Sequence, residues 1–229
     1  MIRMAMLACS PFGNAHAAPI WVIGHDPRLT KSKAEANTCF FFDLLEKPPG
    51  KTSAELAKRR LAQGVWDYVQ ELVGSPVPLE KLYLTNLCNW FLAPPREPGT
   101  VLIPNSVADA GIHAIRSALK ARTVPPRIIL AMSQQVLWHM VRTEFLAPHP
   151  TLAKFAESSV PKPNLTEEGR YEATRARAFL EICGETFHCD GVPLVPILHI
   201  KSRTKSKGAY EQPMKRAGMN IRNVLRDYL

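Results

Sequence analysis

No apolar run in this 229-residue chain approaches the roughly 20 residues that a membrane span requires, so no membrane partner is expected. CxxC pairs are absent, and the five cysteines (Cys9, Cys39, Cys88, Cys183, Cys189) are odd in number. That usage points to reduced, mostly buried thiols in a cytoplasmic protein rather than to a disulfide framework. Cys183 and Cys189, with His188 between them, lack the spacing of a common zinc module, so no metal is expected. A glycine-rich phosphate loop and a GxSxG elbow are missing too, which weakens a reading as another α/β hydrolase of nucleotides or phosphate esters. Met1 to Ala18 imitates a secretory leader through Arg3 and Ala15-His16-Ala17-Ala18. Ser10, Pro11 and Gly13 interrupt its apolar patch, and a strand pattern follows at once, so it is read as part of the fold.

Acidic residues are scarce beside basic ones: 20 against 29, a net charge of +9. The excess is uneven. From Pro196 to Leu229 there are eight basic residues (Lys201, Arg203, Lys205, Lys207, Lys215, Arg216, Arg222, Arg226) and two acidic ones, Glu211 and Asp227. Such asymmetry suggests a polyanionic partner, with nucleic acid ahead of an anionic membrane. A solvated basic face accounts for the charge equally well.

Apolar runs predict four strands: Ile20 to Gly24, Leu82 to Thr85, Arg127 to Met132, and Leu194 to His199. Helical spacing marks Ser53 to Val73, through Leu56, Leu61, Val65, Val69 and Leu72, with Thr52 or Ser53 as cap and Gly74 as stop. Ser106 to Ala121, Ser133 to Phe145, Arg170 to Ile182 and Lys215 to Tyr228 are predicted helices as well. Two proline-rich stretches, Phe91 to Asn105 and Ala147 to Asn164, read as long irregular loops. Strands alternating with helices give an α/β fold: a three-layer sandwich with a central, mostly parallel four-stranded sheet flanked by helices. At this length a single domain over 1–229, present as a monomer, is expected.

Each predicted strand runs into polar chemistry. Gly24-His25-Asp26-Pro27 follows the first, Asn86 ends the second, Ser133-Gln134 opens a helix after the third, and His199 ends the fourth, ahead of Lys201, Ser202, Arg203 and Lys205. In a parallel sheet these ends share one edge, where open α/β folds bind ligands. Pro27 presses Asp26 toward extended backbone. Asp26, Asn86 and His199 are thus expected to face one pocket with a cationic rim.

In this order and character the segments resemble the uracil-DNA glycosylase superfamily. Gly24-His25-Asp26-Pro27 is similar to the Gly-Gln-Asp-Pro form of its first motif. Leu84-Thr85-Asn86-Leu87 with Pro94-Pro95-Arg96-Glu97-Pro98 is similar to the second strand and proline-rich loop of its iron-sulfur members. Pro125 to Met132 resembles their third strand, and the likeness extends over most of Pro19 to Lys207.

The resemblance implies a DNA base-excision glycosylase acting on uracil or a related deaminated base. Its nucleotide is flipped into a pocket. A carboxylate, Asp26, orients or deprotonates water, and His199 donates toward the pyrimidine O2, where negative charge develops. Asn86 reads the base edge, Gly24 and His25 belong to the base site, and an aromatic from Phe40-Phe41-Phe42, with Phe40 favoured, stacks on the base. Lys201, Ser202, Arg203 and Lys205 contact DNA phosphates.

Departures from the family accompany this. Isoleucine 200 stands where the last motif has proline, and Arg203 or Lys205 replaces its apolar wedge. Arg28 stands where a tyrosine excludes thymine, and His25 replaces glutamine. Trp90 falls where iron-sulfur members have cysteine, so neither a cluster nor any other cofactor is expected. The alternative is a catalytically silent nucleic-acid-binding member of the same superfamily.

Overall fold

The computed structural model describes residues 9–25, 38–89, 103–158, 177–200 and 208–228. Its centre is a five-stranded sheet. Strands β1 (Ile20–Gly24), β2 (Leu82–Asn86) and β3 (Ile128–Met132) are buried at every position. A three-residue β4 (Phe187–Cys189) and then β5 (Val192–Ile197) complete the sheet, in the order β2-β1-β3-β5-β4. All neighbours are parallel except β4 and β5. The register sets Gly24 beside Asn86, Ile23 beside Ala131 and Met132 beside Ile197. Four parallel carboxyl ends therefore form one edge.

Burial on both faces explains the unbroken apolar runs. Trp21, Ile23, Ile129, Ala131 and Leu194 face one layer: α2 (Asn105–Lys120), α3 (Gln134–Arg142), α4 (Pro150–Ser158) and a helical stretch at 177–182. Ile20, Val22, Leu82, Leu84, Ile128, Leu130, Val195 and Ile197 face the other, formed by α1 (Ser53–Val73), α5 (Glu211–Leu225) and a 3-10 turn at Cys39–Leu44. The α/β three-layer sandwich read from the sequence is the architecture, with five strands in place of four. Among the described residues no helix is long and apolar enough to cross a membrane.

The limits of α1 follow from its sequence. Thr52 accepts a hydrogen bond from the Glu55 amide at 3.2 Å while its own amide donates to the Glu55 carboxylate at 3.2 Å, a complete capping box. Gly74 ends the helix at φ +83°, a conformation that costs other residues strain. Val65, Val69 and Leu72 are buried as the spacing predicts, whereas Leu56 and Leu61 are exposed.

Other boundaries differ from the sequence reading. The fourth expected strand starts at Val192 and stops at Ile197, leaving His199 two residues beyond it. Its hairpin partner β4 was not anticipated. The helix after β3 ends at Arg142, and the last helix begins at Glu211. Within the stretch expected to be irregular, Pro150 opens α4, since the missing N–H of proline costs nothing at a first helical position. Of the predicted helix Arg170 to Ile182 and the loop Phe91 to Asn105, residues 170–176 and 91–102 lie outside the described residues.

Helix α2 grips the end of β2 through Gly111. A Cβ there would run into the Leu87 carbonyl, whose carbon would lie 2.9 Å away, and both partners are backbone that cannot step aside. Gly111→Ala is expected to cost about 3 kcal/mol by overpacking. At this chain length that lowers Tm by roughly 10 °C in a thermal melt. Gly64→Ala in α1, where nothing lies within 4 Å of the added methyl, serves as the opposite control. Better helix propensity should stabilise it by about 0.5–1 kcal/mol.

Candidate functional site

At the carboxyl edge Gly24 and Asn86 end adjacent strands in register. The absence of a side chain at Gly24 is used: a Cβ there would collide with Asn86 Oδ1 and with Cζ of Phe40, whose Cε2 would lie 3.0 Å away. The carboxamide oxygen, an aromatic edge and a bare backbone position thus converge on one point. Asn86 is 3% exposed, and its Oδ1 has no hydrogen-bond partner among the described residues.

A relay of side chains holds the Asn86 amide. Its Nδ2 donates to Cys9 Sγ (3.9 Å), Cys9 Sγ donates to Cys39 Sγ (3.5 Å), and Cys39 Sγ donates to Asn89 Oδ1 (3.5 Å). Asn89 Oδ1 also accepts from the Asn86 backbone N–H at 3.2 Å, and Asn89 Nδ2 donates to Thr85 Oγ1 at 3.3 Å. The neighbouring Cys9 thiol and then burial push the Cys39 thiol far above its usual range. Cys39 therefore stays protonated and able to donate. With Nδ2 turned to Cys9, Oδ1 points to Gly24 and Phe40. Cys9, Cys39 and Asn89, which hold this carboxamide by hydrogen bonds, carry no signal in the sequence reading.

The three consecutive phenylalanines divide by role. Phe42 is fully buried and packs on Phe12 with ring centroids 5.3 Å apart. Phe41 is half-buried beneath Lys58, whose Nζ lies 5.4 Å from the ring centroid. Phe40 is the ring beside Gly24. Both Phe40 (φ +56°) and Phe41 (φ +59°) adopt left-handed backbone, a strain that bulky residues bear where surrounding structure imposes it. The Asp43 amide donates to Thr38 Oγ1 at 3.2 Å and closes this turn.

His25 leaves β1 between two neighbours. Its carbonyl accepts from the Cys88 N–H at 3.1 Å on the β2 side, while its Nε2 bonds Gln135 Oε1 on the β3 side. Gln135 stands in the first turn of α3, whose cap is Ser133, a residue at φ +125°. The Ser133 amide donates to Ile197 O at 3.2 Å and ties β3 to the end of β5. His199, half-buried, reaches the same edge two strands from β1. Neighbouring strands run about 4.8 Å apart, which sets it roughly 10 Å across the edge.

Gly24 is thus closely approached by both Asn86 and Phe40, His25 follows it, and His199 shares their edge. Asp26, Arg28, Trp90, Pro94 to Pro98, Lys201, Ser202, Arg203 and Lys205 lie outside the described residues. The basic tail is less free than its charge suggests. Arg216 donates to Cys183 O (2.7 Å) and Leu180 O (2.9 Å), Arg222 donates to Leu72 O (3.4 Å), and Lys215 pairs with Glu211 (2.6 Å). The two arginines fasten α5 to its surroundings, while the Lys215–Glu211 pair lies within the helix. Compared with known proteins, the chain matches no family model and no curated protein.

Proposed function

We propose that the protein is a DNA base-excision glycosylase of the uracil-DNA glycosylase superfamily, hydrolysing the N-glycosidic bond of uracil or a related deaminated base. One observation carries this reading: a buried, unpartnered carboxamide oxygen on Asn86 beside an aromatic edge and a glycine, at the carboxyl edge of a parallel sheet. An acceptor beside an aromatic ring suits a flat, polar heterocycle. Gly24 lets Asn86 and Phe40 close onto bare backbone, Phe40 supplies the stacking surface, and Asn86 accepts a ring N–H. Asp26 follows His25 directly in sequence and takes the water-activating role. Its carboxylate orients or deprotonates the water whose oxygen bonds the sugar as the base departs with the glycosidic electron pair. His199 donates to the departing base where anionic charge develops. Lys201, Ser202, Arg203 and Lys205 bind backbone phosphates and make the affinity salt-dependent.

The test is a single-turnover assay on single- and double-stranded oligonucleotides bearing uracil, hypoxanthine or xanthine. Release of at least one deaminated base is expected, with cytosine and adenine retained. No release from any substrate overturns the glycosylase. Salt-dependent DNA binding with no release, unchanged by Asp26→Asn, establishes instead the silent nucleic-acid-binding relative, a reading favoured by Ile200 and Arg28 at two family positions.

A further inference from the structure

Two thiols meet beside Asn86. Cys9 Sγ and Cys39 Sγ lie 3.5 Å apart, 3% and 0% exposed. Backbone already ties their segments together: the Cys39 N–H donates to Ser10 O at 2.8 Å, and the Cys9 N–H donates to Asn89 O at 2.7 Å. Disulfide sulfurs sit about 2.05 Å apart, so closing this pair takes a movement of roughly 1.5 Å, the size of a side-chain rotation. The segment that carries Cys9 is thinly held. It runs beside β2, the last strand on that side of the sheet, pairing there through Phe12 and Leu84, and Ser10 and Pro11 are exposed. Segments of this kind open locally at low cost, which admits a small oxidant to buried thiols.

The two thiols are unequal. The hydrogen bond with Cys39 lowers the Cys9 thiol, against burial and the Asp43 carboxylate, while the same contact and burial raise Cys39. When Cys9 ionises, the S–H of Cys39 turns to it. Asn86 Nδ2 also donates to Cys9 Sγ, at 3.9 Å, and favours a thiolate there. Burial pushes Cys183 and Cys189 up to about 12 by contrast. The pair has the form of an attacking thiolate beside a protonated resolving thiol. We infer that Cys9 and Cys39 are a reversible oxidation site, which hydrogen peroxide closes into a disulfide that releases Asn86. The Cys9 thiolate attacks one peroxide oxygen, the O–O bond breaks, and hydroxide leaves, giving a sulfenic acid on Cys9. The Cys39 sulfur then attacks the Cys9 sulfur, the S–O bond breaks, and the departing hydroxide takes the Cys39 proton as water. Both sulfurs are oxidised and the peroxide is reduced: two thiols and one peroxide become one disulfide and two waters. Oxidation removes the S–H that Cys39 donates to Asn89 Oδ1 and leaves Asn86 Nδ2 facing a disulfide sulfur, a weak acceptor. Cys39 also opens the turn that brings Phe40 to Gly24. The disulfide stands without the glycosylase reading; its effect on base release rests on that reading.

The intact protein can be treated with hydrogen peroxide, its remaining thiols blocked with N-ethylmaleimide in denaturant, and its peptides mapped without reduction. A disulfide between Cys9 and Cys39 that dithiothreitol reverses is expected, with Cys183 and Cys189 still recovered as thiols. Base release from a uracil oligonucleotide should fall about tenfold or more on oxidation, the usual cost of unmaking one buried hydrogen bond, and return with dithiothreitol. In proton–nitrogen correlation spectra the side-chain amide of Asn86 should shift between the two forms, a readout that needs no activity. Cys39→Ser keeps a donor for Asn89 but lacks the resolving sulfur, so peroxide should leave a dimedone-reactive sulfenic acid on Cys9 and no disulfide. If that variant does not fold, the wild-type peptide map decides the linkage. Recovery of Cys9 and Cys39 as thiols, or Cys9 oxidised to sulfinic acid with Cys39 unlinked, overturns the oxidation site and leaves the glycosylase standing. A disulfide that alters neither base release nor the Asn86 resonance overturns its hold on Asn86. A reduced protein without base release removes the glycosylase, and the peptide map with the Asn86 resonance still decides the oxidation site.

Discussion

Gly24→Ala is expected to reduce single-turnover base release by about a hundredfold or more, while the protein still folds. The backbone of β1 is ordinary strand, so alanine is tolerated conformationally; the conflict is steric. Its methyl would meet Asn86 Oδ1 on one side and the Phe40 ring on the other. Neither moves without loss. Asn86 is held through Cys9, Cys39 and Asn89, and Phe40 sits on a left-handed backbone that limits where its ring can go. Displacing a reading group by about 1 Å costs roughly a hundredfold in rate, and overpacking costs about 1–3 kcal/mol of stability. Rates on a uracil oligonucleotide and a thermal melt check both. Adding Phe40→Ala removes one of the two collisions but leaves that with Asn86 and forfeits the packing of the ring, so it should not restore the full melting temperature. It should not restore base release, because the stacking surface goes with it. Coupled neighbours of this kind depart from additivity.

The central strands were legible because each has to bury both faces. Ile20 to Gly24 and Ile128 to Met132 leave no polar position inside, and Thr52 or Ser53 with Gly74 marked both ends of α1. The edge strand β4 was missed because three residues carry too little pattern. Its turn was nevertheless visible: Asp190 and Gly191, both at positive φ, form the two-residue connection that Asp-Gly favours in hairpins. Helix α4 was hidden by the prolines around it, and Leu56 and Leu61 misled because apolar spacing alone does not say which apolar side chains the packing covers.

The site divides in the same way. Strand-end logic brought Gly24, His25, Asn86 and His199 to one edge, since parallel register follows from the alternation of strands and helices. Which phenylalanine faces Gly24 was not legible, because Phe40 gets there through a backbone conformation that nothing local requires. The positioning relay was invisible for another reason. Cys9 and Cys39 are 30 residues apart, and Asn86 is 77 from Cys9. Such pairings are made by the fold. Gln135 carried no signal beyond marking the start of a helix. The basic tail erred in the opposite direction: net charge counted Arg216 and Arg222 as available to a polyanion, whereas backbone carbonyls hold them.

Asp26→Asn and His199→Ala should each lower base release by about 10²- to 10⁴-fold, the range for removing a general acid or base or a charge-stabilising donor. Affinity for DNA should change little, because phosphate contacts supply most of it. On the proposed reading the two groups act on opposite partners of the breaking bond: Asp26 at the sugar, where water adds as positive charge develops, and His199 at the base, where the electron pair departs. Groups that act as one unit lose most of their effect with the first substitution, as linked catalytic residues do. Asp26 and His199 follow different strands, β1 and β5, separated by β3, and on this reading they stabilise different charges of the same step without contacting each other. Their losses should therefore multiply, so that the double variant falls to the background of uncatalysed hydrolysis. Single-turnover rates for the four proteins on one uracil oligonucleotide, with binding measured in parallel, give the comparison. A double variant no slower than Asp26→Asn alone assigns the two residues to one chemical unit and removes His199 from the base side. A full rate in Asp26→Asn removes the water-activating role from Asp26 and with it the mechanism proposed for this edge of the sheet.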